Sequence, residues 1–264
     1  AHLNKVAAKA VEKLMPSDVK GNLGILCQWA DRIRRQYHRV RRRYRWASEL
    51  HYINVQDHNC AYKYTRDCIG RNRVQDRCLS GAINNYTDQL SSYKKAEYNL
   101  TEALLFLSHF IADIHQPLHV GYLSDKGGNT INVIWFTRKQ NLHHIWDTDI
   151  IRKLEGGVNS SNVEDLTRRI QQKIMRKWRR QIRGWEFCPG RLKTCPNVYA
   201  EESIKIACQW AYKEVQPGSV LKVHNFYVRI FHADEYYQTR LPVVEMRIAQ
   251  AAIRLAATLN RIFT

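Results

Sequence analysis

Two histidine–aspartate pairs carry the chemistry this sequence can do. His109 and Asp113 stand four positions apart in SHFIADIHQPLHVG, and His143 and Asp147 repeat that spacing in NLHHIWDTDII. On a helix this separation stacks the two side chains on one face, one turn apart. An imidazole nitrogen and a carboxylate oxygen then reach the same divalent cation. Either pair alone reads more readily as a surface ion pair. Two pairs on apolar segments, with His119 between them, point to metal instead. Neutral imidazole and carboxylate, with no cysteine among them, suit Zn, Fe or Mn better than a closed cysteine–zinc site. A di-iron carboxylate bundle would need Glu-x-x-His pairs rather than His-x-x-x-Asp.

The elements that must position these groups follow from pattern. LTEALLFL, just before His109, combines good helix formers with an apolar stripe, so the first pair is expected on a rigid buried helix, Leu100 to Gln116. Pro117 interrupts that helix and Gly127-Gly128 supplies a turn, so His119 approaches from the frayed end. Thr130 to Phe136 (TINVIWF) reads as a strand of a small hairpin between the two pairs. Helices are also expected at Ala7–Met15, from Leu23, and at Leu79–Leu90, Leu142–Leu154, Val163–Trp185, Ala200–Tyr212 and Leu241–Phe263. In the last, Val244, Ile248, Ala251, Leu255, Leu259 and Ile262 recur at core spacing. Trp135 and Trp146 read as core. The fold class is mostly α with a minor β-hairpin.

Length and composition bound the rest. The 264 residues carry no Pro/Gly/Ser-rich linker and no internal repeat, so one domain over 1–264 is expected. No apolar run approaches the roughly 20 residues of a transmembrane helix, so no membrane partner is expected. The opening AHLNKVAAKAV lacks a signal core, which fits a chain read after signal removal. A net charge of +18 favours polyanionic partners. The excess concentrates in Arg32–Arg45 (RIRRQYHRVRRRYR) and Arg168–Arg183 (RRIQQKIMRKWRRQIR). Cations interleaved with aromatics suit phosphate contact plus base stacking, and a solvated basic helix face fits the same residues. Of seven cysteines none forms a CxxC, while the short Cys68–Cys78 and Cys188–Cys195 separations fit local disulfide loops in an oxidising compartment. Sequons at Asn85, Asn99 and Asn159 agree with glycosylation and secretion.

Taken in order, WAD (Trp29–Asp31), LHYIN (Leu50–Asn54), YTRDC (Tyr64–Cys68), GAINNYT, NLTEALLFLSHF, ADIHQPLHVG, DKGGNT, NLHHIWDT and RLAATLNRIF resemble the S1/P1 nuclease family, and its plant branch most closely. The resemblance covers nearly the whole chain. It implies a secreted or vacuolar, glycosylated, mostly helical enzyme, of the phospholipase C-like architecture, acting as a monomer. Such an enzyme holds three zinc ions, cuts single-stranded DNA and RNA to 5′-phosphate products, and removes 3′-phosphates from mononucleotides. Carried over by motif, Asp31, His51, His109 and Asp113 hold one zinc, and His119, His143 and Asp147 a second. Asp113 also reaches the third. Arg34 contacts the scissile phosphate, Tyr52 stacks a base, and Asp67 reads its edge. The disulfides implied are Cys60–Cys208, Cys68–Cys78 and Cys188–Cys195.

Four departures qualify that carry-over. Relatives begin with a Trp and a nearby His that bind the third zinc; this chain starts past both, and His2 falls too late to replace that His. Two zinc ions and impaired catalysis are therefore expected, a loss on the order of 10²–10³-fold or more. A cysteine that pairs with Cys27 in relatives is absent. Asn54, a catalytic position, replaces an Asp that orients the attacking water, and an amide holds a water without accepting its proton. Finally, residues near 38–44 and 222–233 read as insertions. The competing readings are a degenerate relative that binds nucleic acid without cutting it, and a phospholipase C-like zinc phosphodiesterase.

Overall fold

The computed structural model describes residues 2–19, 21–35, 42–70, 72–93, 97–154, 163–213, 215, 228–229 and 233–264. Helix α1 (Lys5–Leu14) starts where the Asn4 side chain accepts the Ala7 N–H at 2.8 Å, the ordinary device for satisfying an orphan helix donor. Short helices α2 (Leu23–Leu26) and α3 (Trp29–Arg35) follow, then a 3-10 turn, Arg45–His51, that feeds strand β1 (Ile53–Val55). Next come α4 (Tyr64–Asp67), α5 (Leu79–Ser91) and α6 (Leu100–Asp113), the last capped by Asn99. Another 3-10 turn, Pro117–His119, feeds β2 (Val120–Tyr122). Strands β3 (Asn132–Trp135) and β4 (Arg138–Asn141) form the hairpin. Helix α7 (Leu142–His144) runs through a π turn, Ile145–Asp149, into α8 (Ile150–Leu154). Helices α9 (Val163–Arg176), α10 (Ile182–Glu186) and α11 (Pro196–Ile206), the two-residue strand β5 (Val228–Arg229) and the long α12 (Ala233–Phe263) complete the order.

The core is built around α6, which is buried from Ala103 through Ile111 on every side. That is why LTEALLFLSHFI is apolar beyond a single stripe. Helix α5 packs against it through stacked rings: Tyr86 lies 4.9 Å from Phe106, which in turn stacks on Phe110 of the same helix at 5.4 Å. Burying side chains of this size contributes about 1.5–3 kcal/mol each. A second, smaller cluster forms where α9 and α10 press Ile170, Ile174, Trp178 and Trp185 onto Ala249 and Ile253 of α12. Three disulfides join Cys60 to Cys208, Cys68 to Cys78 and Cys188 to Cys195, leaving Cys27 as a thiol. Among the described residues, no helix is long and apolar enough to cross a membrane.

The mostly helical class stands, with three differences in detail. The stretch Val163–Trp185 is two helices, because the chain turns at Trp178, whose N–H closes a wide turn on the Lys173 carbonyl at 3.0 Å. That turn lets Trp178 and Trp185 meet inside the second cluster, ring centroids 5.9 Å apart. Helix α12 begins at Ala233 and passes through Pro242; buried Tyr236 and Arg240, bonded to the Ala211 and Trp210 carbonyls, hold its first turns in place. The β component is also more than a hairpin. Strand β5 adds a parallel edge to β3, and β1 pairs with β2 in a separate parallel ribbon. The expected insertions near 38–44 and 222–233 lie largely outside the described residues.

Candidate metal centre

The β1–β2 ribbon brings the site together. Its parallel register sets Ile53 beside Val120, so the residues leading into the two strands also lie side by side. His51 ends one 3-10 turn and His119 ends the other. The His119 Nδ1–H donates to the His51 carbonyl at 2.8 Å. Two segments far apart in sequence thereby deliver one imidazole each to a common cleft.

Two donor groups face that cleft. In the first, one donor atom from each of Asp31, His51 and His109 lies within 4.8 Å of the others. Asp113 joins them: its Oδ2 is 2.9 Å from His51 Nδ1 and 3.1 Å from His109 Nε2. In the second group, His119, His143 and Asp147 meet the same 4.8 Å limit. His119 Nε2 is 3.3 Å from Asp147 Oδ1, and His143 Nε2 is 3.2 Å from Asp147 Oδ2. Asp113 also turns its Oδ1 toward His119, 3.6 Å from Nδ1, so one carboxylate faces both groups. Helix α6 supplies the His109–Asp113 pair at the expected spacing. The second pair spans the π turn that follows α7, and such turns recur at functional sites.

The rings are held in the orientation metal ligation requires. His109 Nδ1–H donates to the Cys27 carbonyl and His143 Nδ1–H to the Gly127 carbonyl, each at 2.7 Å. With His119 bonded to the His51 carbonyl, three of the four imidazoles have their tautomer fixed and Nε2 free for the cleft. Gln116 adds a further support. Its amide nitrogen donates to Asp147 Oδ1, while its carbonyl oxygen accepts the Leu118 N–H, both at 2.5 Å. Glycine in DKGGNT is needed for this scaffold. Gly127 has φ +64°, and a Cβ there would sit 2.2 Å from the Leu118 carbonyl oxygen.

The electrostatics describe imidazoles and carboxylates that strongly perturb one another. Burial works against charge on His109, yet the Asp113 and Asp31 carboxylates lift its pKa to about 9. His119 is likewise buried, and Asp113 and Asp147 raise it to about 9. Burial would raise Asp113 and Asp147, but the imidazoles beside them hold both carboxyls well below the usual range. The Cys27 thiol is pushed up to about 11 by burial and by the Asp113 charge, so it stays protonated and offers no thiolate. Donor types, convergence and fixed tautomers all fit a divalent metal.

A cleft of about 870 Å³ opens from the centre, lined by Asp31, Arg32, Asp113, Gln116, His119, Asp147 and Arg152 and walled by Val244, Ile248 and Leu255 of α12. A second pocket of about 560 Å³ contains Tyr52, Asn54 and Asp67 together with Arg66, Arg73 and Arg77. Tyr52, extended just before β1, and Asn54 within it stand two positions apart, so their side chains leave the extended chain on one face. Asp67 is buried, and Arg66 grips it twice, at 2.6 and 2.7 Å, while the Lys63 N–H donates to it at 2.8 Å. Three of roughly four lone-pair sites are thus used.

The structure gathers Asp31, His51, His109, Asp113, His119, His143 and Asp147 at one cleft, with Tyr52, Asn54 and Asp67 in the other pocket. Arg34 belongs to α3, but its side chain falls outside the described residues, as does Asn159. Asn85 and Asn99 are exposed. The supports the sequence reading missed are Gln116 and three backbone carbonyls. A glutamine just past a His-x-x-x-Asp pair was the only visible sign of the first, and carbonyls leave none. His115 lies elsewhere: its Nδ1 donates to the Ile111 carbonyl and its Nε2 meets Arg254 at 3.0 Å. Burial and two guanidiniums hold it neutral.

Mixed imidazole–carboxylate donor sets open to solvent on one side are those of catalytic metal sites rather than closed structural ones, and that is the class this centre defines. The profile of the S1/P1 Nuclease family matches residues 1–264. Endonuclease 2 of Arabidopsis thaliana is 50% identical over 266 residues, which cover 99% of this chain and 85% of the relative. Endonuclease 4 of the same plant is 44% identical over 269 residues, covering 100% and 85%. Nuclease P1 of Penicillium citrinum is 30% identical over 274 residues, covering 99% and 92%. The chain belongs to the S1/P1 nuclease family.

Proposed function

We propose that this chain is a zinc-dependent endonuclease that hydrolyses phosphodiester bonds of single-stranded DNA and RNA, leaving 5′-phosphates, and that it also acts on 3′-mononucleotides. The observation that carries the reading is the pair of donor groups with Asp113 turned toward both. Asp31, His51, His109 and Asp113 would hold one zinc ion, and His119, His143 and Asp147 another. Bound there, zinc supplies a nucleophile near neutral pH and neutralises charge on the phosphate.

The protein's own groups do the rest. The three backbone carbonyls and Gln116 keep the ligands in register. Tyr52 offers a ring on which a base stacks, and Asp67 keeps one acceptor site for its edge. A base paired inside a duplex is stacked and cannot enter that pocket, so unpaired strands are preferred. Arg34, on the helix that carries Asp31, serves the scissile phosphate. Three disulfides support an oxidising compartment, hence a secreted or vacuolar enzyme; a single domain and a monomeric state complete the reading.

Asn54 favours a second reading, a weakened or purely binding relative, because its amide orients a water without taking its proton. Elemental analysis of the purified chain together with an oligonucleotide assay separates the two. The nuclease reading requires about two or more zinc equivalents, cleavage of single strands over duplex, 5′-phosphate ends, and loss of activity on chelation. Salt-dependent binding without cleavage in added zinc would establish the binding reading. Rescue of cleavage by Asn54→Asp would then locate the defect at that position.

A further inference from the structure

The basic stretch around Trp178 is not used by the metal centre. Arg176, Lys177, Arg179, Arg180 and Arg183 fall within eight residues at the turn between α9 and α10, and all five are exposed. Among the described residues none of the five has an acidic partner. The cations earlier on α9 differ. Arg169 and Lys173 both bond the buried Glu245, and Arg168 pairs with Asp165 at 3.0 Å. The stretch therefore spends its first cations on ion pairs and leaves the later five without one.

The aromatic residues of this stretch point the other way. Trp178 and Trp185 are buried in the second core cluster, so they offer no face to a base. This corrects the sequence expectation of cations interleaved with stacking rings. What remains is charge without base readout, the chemistry that binds a phosphate backbone regardless of sequence. The cluster beneath this surface reaches the wall of the cleft. Ile248 of α12 both lines the cleft and packs against the cluster that anchors the turn.

We propose that this turn is an accessory site that holds the sugar-phosphate backbone of a single strand where it runs beyond the metal cleft. The proposal rests on the nuclease reading for the identity of its occupant. Charge complementarity selects a polyanion, and the polymeric substrate is the polyanion already delivered to that cleft. Short substrates end before reaching the turn, so the site raises affinity for long strands alone.

The test is a variant carrying Arg176→Gln, Lys177→Gln, Arg179→Gln, Arg180→Gln and Arg183→Gln, with the fold checked by circular dichroism. For a single strand of about 40 nucleotides at low salt, KM should rise about 10-fold, and its salt dependence should flatten by roughly 2–3 in log–log slope. Hydrolysis of a dinucleoside monophosphate should stay unchanged, and a variant with the four arginines replaced by lysine should keep wild-type KM. Unchanged KM and salt slope on the long strand would overturn the proposal. If wild-type protein cleaves nothing, the nuclease reading fails on its own. Binding of a labelled strand to chelator-treated protein then decides this site: loss of binding in the variant supports it, and equal binding overturns it. Loss of binding to phosphatidylserine vesicles with strand affinity retained would also overturn it, assigning the turn to an anionic membrane surface.

Discussion

At the scale of single residues, the centre depends on groups that never touch a metal. Gln116 is the clearest: one amide joins the Leu118 N–H to Asp147 and so fixes where that carboxylate points. Removing such a support typically costs 10–100-fold in metal affinity or activity. Gln116→Ala should therefore lower zinc affinity by about that factor while leaving the melting temperature of the zinc-saturated protein near wild type, as competition with a chromophoric chelator would report. The titrating groups give a second prediction. His109 and His119 rise from 6.5 in the unfolded chain to about 9 in the fold. Their contribution to the metal-free protein is therefore complete below about 6.5 and is lost as pH rises through about 9. Asp113 and Asp147, depressed in the fold, contribute above the usual carboxylate range and lose that contribution as pH falls. Zinc needs neutral imidazole, so its stabilisation grows over the window in which the histidine contribution fades. Melting curves with and without chelator from pH 6 to 9 should diverge as pH rises; a constant gap would contradict these assignments.

At the scale of elements, the site hangs on a short parallel ribbon and a glycine turn. Gly127 holds a positive φ, and its carbonyl orients His143. Gly127→Ala places a methyl against the Leu118 carbonyl at a backbone angle L residues rarely adopt. A cost of about 1–3 kcal/mol is expected, along with loss of any metal bound by His119, His143 and Asp147. Denaturant unfolding and metal counting check the two parts separately. The DKGGNT turn was legible in sequence because glycine and aspartate mark turns by their own chemistry. The His109–Asp113 pair was legible because a helix period fixes which side chains meet. The ribbon was not. A three-residue strand carries almost no periodic signal, and its partner lies more than sixty residues away in a region dominated by a helix. The break at Trp178 was hidden for a related reason. Every residue from Val163 to Trp185 tolerates a helix, and only the burial of two tryptophans against α12 makes the turn worthwhile. The aromatic positions were visible in the sequence, but the side to which they face is a tertiary fact.

At the scale of the whole molecule, a strongly basic chain must still bury some of its charge, and it does so beside the cleft. Arg247 and Arg254 of α12 are almost wholly enclosed, each 3% exposed at the side chain. Glu202 of α11 accepts from both, Arg254 reaching its two oxygens at 2.6 and 2.7 Å and Arg247 one of them at 3.1 Å. Arg247 also bonds the His115 carbonyl at 3.0 Å, just past the end of α6. The network therefore pins the helix that carries His109 and Asp113 against two others. Among the described residues Glu202 is the one acid paired with these two cations, and they hold its carboxyl below the usual range even though burial opposes it. Glu202→Gln keeps the shape but leaves two like charges buried without a counter-ion, a defect that costs about 3–5 kcal/mol when a buried pair is broken from one side. Arg254→Met should cost less, because Glu202 then keeps Arg247 and one buried charge disappears with its partner's excess. Chemical denaturation of both variants measures the order. If the glutamine variant is the milder of the two, the charge balance of this network is not what holds α6, α11 and α12 together, and packing alone must do so.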